Sequence, residues 1–321
     1  MQDSTIIKLP LRLFKVFSGV SNAYSAVCNA RVQGVYDLLS GCFISFSIDP
    51  YSKNDLSAAP QLKIQKGDLV LRDRGYCTNS EIKRHIDIGA DCIFRHKYNS
   101  IYIDRHTGKA IDLKSVLVNQ GKLDMEVYLN DENRTKVRLI AAPVKIEVAN
   151  KRRMKAKKEM RGHNPPPGLL FLMSWTIFIT TIPRPQADFK KVFEIYRLRW
   201  RIEIMFKIWK SNMNFAKIHN VSENQLKVML TARLIMIVIC INLIYYPYYL
   251  KIRVQYKRYL SIMKLVNYLM INPEMLNKYL SLIKSNEKYT KSLCMPFIKY
   301  CTYDKRNRLN YCQLLEELLL S

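Results

Sequence analysis

The stretch from Tyr196 to Lys210, Tyr-Arg-Leu-Arg-Trp-Arg-Ile-Glu-Ile-Met-Phe-Lys-Ile-Trp-Lys, constrains this chain more than any other. Wound as an α-helix at about 100° per residue, it gathers Tyr196, Arg199, Glu203, Lys207 and Lys210 into a sector of roughly 80°. Ile202, Met205, Phe206, Ile208 and Trp209 fall on the other side. The segment therefore predicts a helix with an apolar back that must be buried and a charged front that need not be. One carboxylate among three cations suits a phosphate backbone and a metal ion. The plainer alternative is a solvated face, because Glu203 and Lys207 stand at i,i+4 and such pairs add only tenths of a kcal/mol.

Two further segments carry acids in β-prone runs. Gly67-Asp68-Leu69-Val70-Leu71-Arg72-Asp73-Arg74-Gly75-Tyr76 reads as a short strand ending on Asp73. A Gly turn follows, and Thr78-Asn79-Ser80-Glu81 then fits a capping box that opens a helix. Asp73 is thereby placed at the C-terminal tip of a strand, where α/β sheets present their chemistry. Near the start, Asp3-Ser4-Thr5-Ile6-Ile7-Lys8-Leu9-Pro10 offers a second acid.

In this order the three segments resemble the DDE transposases of bacterial insertion sequences, the cut-and-paste group whose third acid lies in a Tyr-x2-Arg-x3-Glu-x6-Lys signature. Tyr196, Arg199, Glu203 and Lys210 match it at every spacing, and Lys207 matches a basic position of some members. Asp73 with Arg74-Gly75-Tyr76 matches the segment of the second acid, and Asp3 with Ser4-Thr5 that of the first. The likeness runs from about residue 2 to about residue 245. It implies an α/β fold, a ribonuclease-H-like mixed-sheet core with an inserted β-rich subdomain and a C-terminal helical region. The implied divisions are residues 1–96 for the first part of the core, 97–182 for the insertion, 183–250 for the closing helices and 251–321 for the C-terminal region.

The same likeness implies that Asp3, Asp73 and Glu203 are catalytic and hold two Mg²⁺ or Mn²⁺ ions, while Tyr196, Arg199, Lys207 and Lys210 contact DNA. Partners would be transposon ends and target DNA, engaged by a homodimer in the DNA complex. Trp175 matches a Trp that in relatives precedes the closing helix and stacks on a base displaced from the duplex, though a Trp in an alternating strand more often packs on a sheet face. The chemistry is self-consistent. Phosphodiester cleavage and transfer call for two ions roughly 3.5–4 Å apart, one at the attacking oxygen and one at the leaving oxygen. Hard Mg²⁺ prefers carboxylate and water oxygens.

Composition agrees with a polyanionic partner. Lys plus Arg number 52 against 26 Asp plus Glu, for a formal charge of +26, and such an excess makes affinity steeply salt-dependent. From Lys145 to Arg161 eight cations face only Glu147 and Glu159. That run reads as a solvated basic hairpin tip or as a DNA-backbone contact through residues such as Arg152 and Arg153. Eight cysteines include no Cys-x2-Cys pair, which predicts buried thiols in a reducing cytoplasm and no zinc site. No His stands beside a Ser or Cys in a nucleophile motif, so a hydrolase triad has no support.

Met1-Gln2-Asp3-Ser4 has neither a basic n-region nor an apolar h-region, so no signal peptide is expected. The apolar run Leu234 to Tyr246 is shorter than the roughly 20 residues of a membrane span and reads as a core helix. The expected location is cytoplasmic and nucleoid-associated, without a membrane.

Strands are expected over residues 3–9, about 34–48, 68–72 and 91–95, with Gly34 and Gly41 as turns or bends. Helices are expected over 56–64 and 79–88, and β-like alternation from about 97 to 181, including Ile101–Ile103, Leu123–Leu129 and Val137–Val148. Asp3 stands almost at the first residue, whereas the resembling proteins carry a helical DNA-recognition region before it. That departure predicts a first metal ligand on a fraying strand and favours a chain that binds DNA without cutting it, able to interfere with an intact transposase. A basic membrane-associated protein is the remaining reading, and it leaves the spacing from Tyr196 to Lys210 unexplained.

Overall fold

Strands β1 (Gln2–Lys8), β2 (Asn29–Asp37) and β3 (Cys42–Pro50) form an antiparallel meander in that order. In this computed structural model, residues 1–19, 26–160, 163–284, 291–304 and 309–320 are described. Gly41, at φ +70°, makes the turn between β2 and β3, where the Asp37 carboxylate accepts from the amides of Leu39 at 3.0 Å and Ser40 at 3.1 Å. The run expected as one bent strand over 34–48 is therefore parts of two. Gly34 makes no bend. It pairs with Asp3 and Phe46 inside the meander, and a Cβ there would meet Phe43 at 3.0 Å and Phe206 at 3.2 Å. The glycine is a point of close approach.

The chain divides into two compact units, Met1–Asn54 with Arg197–Ser321, and Asp55–Tyr196. The second unit opens with α1 (Asp55–Ala58) and a 3₁₀ turn, Ala59–Gln61. This is shorter than the helix expected to Ile64, because Pro60 lacks the N–H that would continue it. Strand β4 (Leu69–Arg72), helix α2 (Asn79–Ile88) and strand β5 (Asp91–Arg95) then form a parallel crossover. There follow β6 (Tyr102–Asp104), α3 (Leu113–Gln120), β7 (Leu123–Leu129), β8 (Lys136–Pro143), α4 (Ile146–Glu159), α5 (Pro167–Leu172), β9 (Trp175–Thr180) and α6 (Phe189–Arg197). The sheet runs β4-β5-β9-β8-β7-β6, and every pair but β4/β5 is antiparallel. Its core gathers Tyr76, Ile82, Phe94, Leu117, Leu139 and Ile179, all buried.

Two expectations fail in this unit. The β pattern read through Val148 stops at Pro143, and the basic run is a helix with no hairpin tip. Ala149 and Ala156, seven residues apart and both buried, supply its helical period. Arg161 lies outside the described residues.

The rest of the first unit is helical: α7 (Trp200–Asn212), α8 (Glu223–Val238), α9 (Tyr246–Tyr256), α10 (Ile262–Ile271), α11 (Pro273–Lys284), α12 (Lys291–Tyr300) and α13 (Tyr311–Leu320). Helix α7 lays Ile202, Met205, Phe206 and Trp209 into the core, with the Trp209 ring 4.5 Å from Phe43 and 5.4 Å from Phe46. The apolar run before Pro247 is longer than expected. Together α8, a π-helical segment Ile239–Tyr245 and α9 make one helix, Glu223–Tyr256, of 34 residues and long and apolar enough to cross a membrane. The wide turn has a local cause, since Pro247 cannot donate to the ladder and the register shifts around it. Leu226, Leu230, Ile237, Ile241, Ile244, Tyr248 and Ile252 lie in the core, while Val228, Ile235 and Val254 are exposed. With a mixed sheet and a helical C-terminal region, the fold is of the mixed α/β class that the resemblance implied.

Candidate active site

The stretch Tyr196 to Lys210 does not form one helix. Helix α6 ends at Arg197, α7 begins at Trp200, and Arg199 caps it. Short i→i−3 bonds, Arg201 N to Leu198 O at 2.9 Å and Ile202 N to Arg199 O at 3.3 Å, tighten the junction. Tyr196 thus belongs to one unit, and Arg199, Glu203, Lys207 and Lys210 to the other.

In the first unit Asp3 and Glu203 come together through Arg199. Its guanidinium donates to Asp3 Oδ2 at 3.1 Å and to Glu203 Oε1, and its side chain is only 10% exposed. Asp3 is not on a frayed end: β1 pairs with β2 from Gln2 onward, and the Met1 ammonium donates to Tyr36 O at 2.7 Å. The amide of Ser4 donates to Asp3 Oδ1 at 2.8 Å, which fixes the carboxylate's other oxygen. Lys210 donates to Ile6 O at 2.6 Å, tying α7 to β1, and burial lowers its pKa. Lys207 is exposed. An open cleft of 310 Å³ lies over this group, lined by Asp3, Ser4, Thr5, Glu203, Phe206, Lys207, Lys210 and Ser211.

In the second unit Asp73 follows the last residue of β4, in extended conformation, and opens the turn Arg74–Tyr76. What holds it there was not visible in the motif. Arg72, fully buried, pairs with Glu81 at 2.8 Å and donates to Ala59 O at 3.0 Å. The Tyr196 hydroxyl donates to Arg72 O at 3.2 Å, so Tyr196 braces the strand end beside Asp73. Burial would raise the Glu81 pKa, but hydrogen bonds from Arg84 and Arg72 outweigh it and hold the carboxyl below its ordinary value. Thr78 does accept from the Glu81 amide at 3.1 Å, as the capping box predicts. The Glu81 side chain, however, is spent on the two arginines. The one sequence signal for this was a charge, Arg72, at the end of an apolar strand.

The other expected DNA contacts lie elsewhere in the second unit. Trp175 starts β9, half-buried, with its ring 6.4 Å from Phe171. Arg152 donates to Trp175 O at 2.9 Å and Thr176 Oγ1 at 3.1 Å, and Arg153 to Leu170 O at 3.2 Å. Both guanidinium groups are engaged in docking α4 onto its own unit.

Two carboxylates that converge on a single cation, with lysines at the rim of the cleft, form a hard-oxygen site that a divalent ion fits by charge and donor type. Among the described residues no three His, Cys, Asp or Glu side chains gather into a ready-made cage.

A family model described as "Transposase DDE domain" matches residues 3–239. The transposase of insertion element IS231E from Bacillus thuringiensis subsp. finitimus is 24% identical over 261 residues, covering 74% of this chain and 54% of the relative. That of IS231C from Bacillus thuringiensis subsp. berliner is 26% identical, covering 95% of this chain and 67% of the relative. That of IS1151 from Clostridium perfringens is 27% identical, covering 76% and 56%. The chain thus spans little more than half the length of the first and third. A solved piggyBac transposase synaptic complex with hairpin DNA aligns at a TM-score of 0.45 and 10% identity, over 97% of this chain and 59% of that one.

Proposed function

The chain belongs to the DDE transposase family, and from that premise we propose that it is the catalytic region of an insertion-sequence transposase, cutting and joining DNA strands. The observation that carries the reading is the bridge from Arg199 to Asp3 and Glu203, which brings together two acids 200 residues apart in sequence. Hydrolysis forms a bond from a water oxygen to phosphorus and breaks the P–O3′ bond, leaving a 3′-hydroxyl and a 5′-phosphate. Strand transfer repeats the exchange, with the 3′-hydroxyl as nucleophile and a target phosphodiester as electrophile.

Members of the family generally use divalent metal ions. Asp3, Glu203 and Asp73 would hold two Mg²⁺ or Mn²⁺, which supply an activated oxygen nucleophile and stabilise the leaving oxygen. The chain's own residues do the rest. Arg199 keeps two of the acids within reach of one cation, Ser4 fixes the Asp3 carboxylate, and Tyr196 with Arg72 and Glu81 fixes the strand end that bears Asp73. Lys207 offers a cation to phosphate at the cleft. The partners would be transposon ends and target DNA, bound by a homodimer, in a nucleoid-associated protein.

The test is strand nicking of end-containing DNA with Mg²⁺ or Mn²⁺, run in the longest reading frame that contains residues 1–321. Asp73→Asn and Glu203→Gln should each abolish cleavage by at least about a hundredfold while sparing DNA retention. Cleavage retained in either variant removes that residue from the site.

A further inference from the structure

Helix α4 carries six cations against Glu147 and Glu159, and the structure sorts them into two sets. Arg152 and Arg153 turn inward and bond the backbone of β9 and α5, and Ala149 and Ala156 are buried beside them. At 100° per residue, Lys151, Lys155 and Lys158 fall within about 60° of one another, on the side opposite those alanines. All three are exposed. Lys155 has a loose contact with Glu159, 3.6 Å, with side chains 77% and 59% exposed. Glu147 lies at the N-terminal end of the same face, where the helix dipole favours an acid.

We propose that Lys151, Lys155 and Lys158 form a duplex-DNA backbone contact that tracks consecutive phosphates of one strand. This rests on the DNA-transposition reading and adds a surface that uses none of the three acids. Like charges at i,i+3 and i,i+4 repel and weaken a helix, so a stripe of this kind is stabilised when an anion covers it. From Lys151 to Lys158 the helix rises about 10 Å at 1.5 Å per residue, a span that takes in about four phosphates of one strand at about 3.4 Å each along the duplex axis, within reach of three long lysine side chains. The platform is preorganised, because the inward arginines and alanines fix the helix before any ligand arrives. A membrane surface fits less well. An interfacial helix buries a continuous apolar face in lipid, whereas the apolar side of α4 is already covered, and its exposed Ile146, Val148 and Met154 point in three directions.

The test is binding of residues 1–321 to a duplex of arbitrary sequence across a salt series. Three variants are compared with the unaltered chain: Lys151, Lys155 and Lys158 all changed to Ala, the same three changed to Arg, and the exposed Lys63, Lys109 and Lys122 changed to Ala. The stripe alanines should make the slope of log K against log salt shallower by about two to three, and the arginines should keep it. The control set should change it by less than one. A stripe variant with the unaltered slope, or a control set with an equal effect, overturns the proposal and leaves the transposase reading standing. So does loss of binding to phosphatidylserine vesicles without loss of DNA binding. An unaltered chain that fails to bind duplex at any salt overturns both.

Discussion

Arg199 supplies the cation between Asp3 and Glu203. Asp3 and Glu203 repel one another when both are ionised, and in this structure the guanidinium holds them together. Arg199→Ala should therefore lower stability by about 1–3 kcal/mol, the range for charge-assisted hydrogen bonds. Millimolar Mg²⁺ should raise the melting temperature of the variant more than that of the unaltered protein, since an ion that binds only the folded state stabilises it by linkage. Equal shifts in the two proteins would show that Arg199 is no placeholder. The meeting of Asp3 with Glu203 was legible in the sequence, from the two acid-bearing segments that suggested it. The role of Arg199 was not. Facing phosphate and bridging two acids demand the same charge on the same helix face, and only the register Asp3–Gly34 beneath Phe206 separates them.

At the scale of elements, the ion pair between Arg72 and Glu81 links β4 to α2 just behind Asp73. Removing one partner of a buried pair strands the other, so Glu81→Ala should destabilise the protein by about 3–5 kcal/mol. The pH dependence has a definite sign. The Glu81 carboxyl titrates below its ordinary value in the folded protein, so its contribution is complete above the unfolded value near 4.5 and is lost as pH falls through the lower, folded value. Urea melts at pH 7 and pH 3.5 should differ more for the unaltered protein than for Glu81→Ala, and equal differences would count against the pair. Element boundaries were less legible than this chemistry. A charged front and an apolar back fitted one helix from 196 to 210, but periodicity does not register the break at Leu198–Arg199, which is set by short-range bonds. The basic run after Lys145 hid its helix for a different reason: only two small alanines mark its buried side.

Across the whole molecule, the C-terminal segment returns to the helix that bears Glu203. Arg201, two residues before that acid and 3% exposed, lies with its guanidinium 4.4 Å from the ring of Tyr311 at the start of α13. Further along α13, Glu316 accepts from Arg253 at 3.0 and 2.9 Å and from Tyr259 at 2.7 Å. A chain read from its motifs alone leaves residues 251–321 without a role, because these contacts join residues 50 to 110 positions apart and no local pattern announces them. They make α13 a brace behind α7. Hydrogen bonds from Arg253 outweigh partial burial and lower the Glu316 pKa, so this clamp too weakens as pH falls below about 4.5. Glu316→Ala should cost about 1–2 kcal/mol at pH 7, since it frees a partly exposed arginine and leaves the hydroxyls of Tyr249 and Tyr259 without this acceptor. If α13 braces α7, hydrogen exchange should quicken along α7 in the variant as well as along α13. Quickening confined to α13 would make the helix a passenger, with the placement of Glu203 set by β1 and β2 alone.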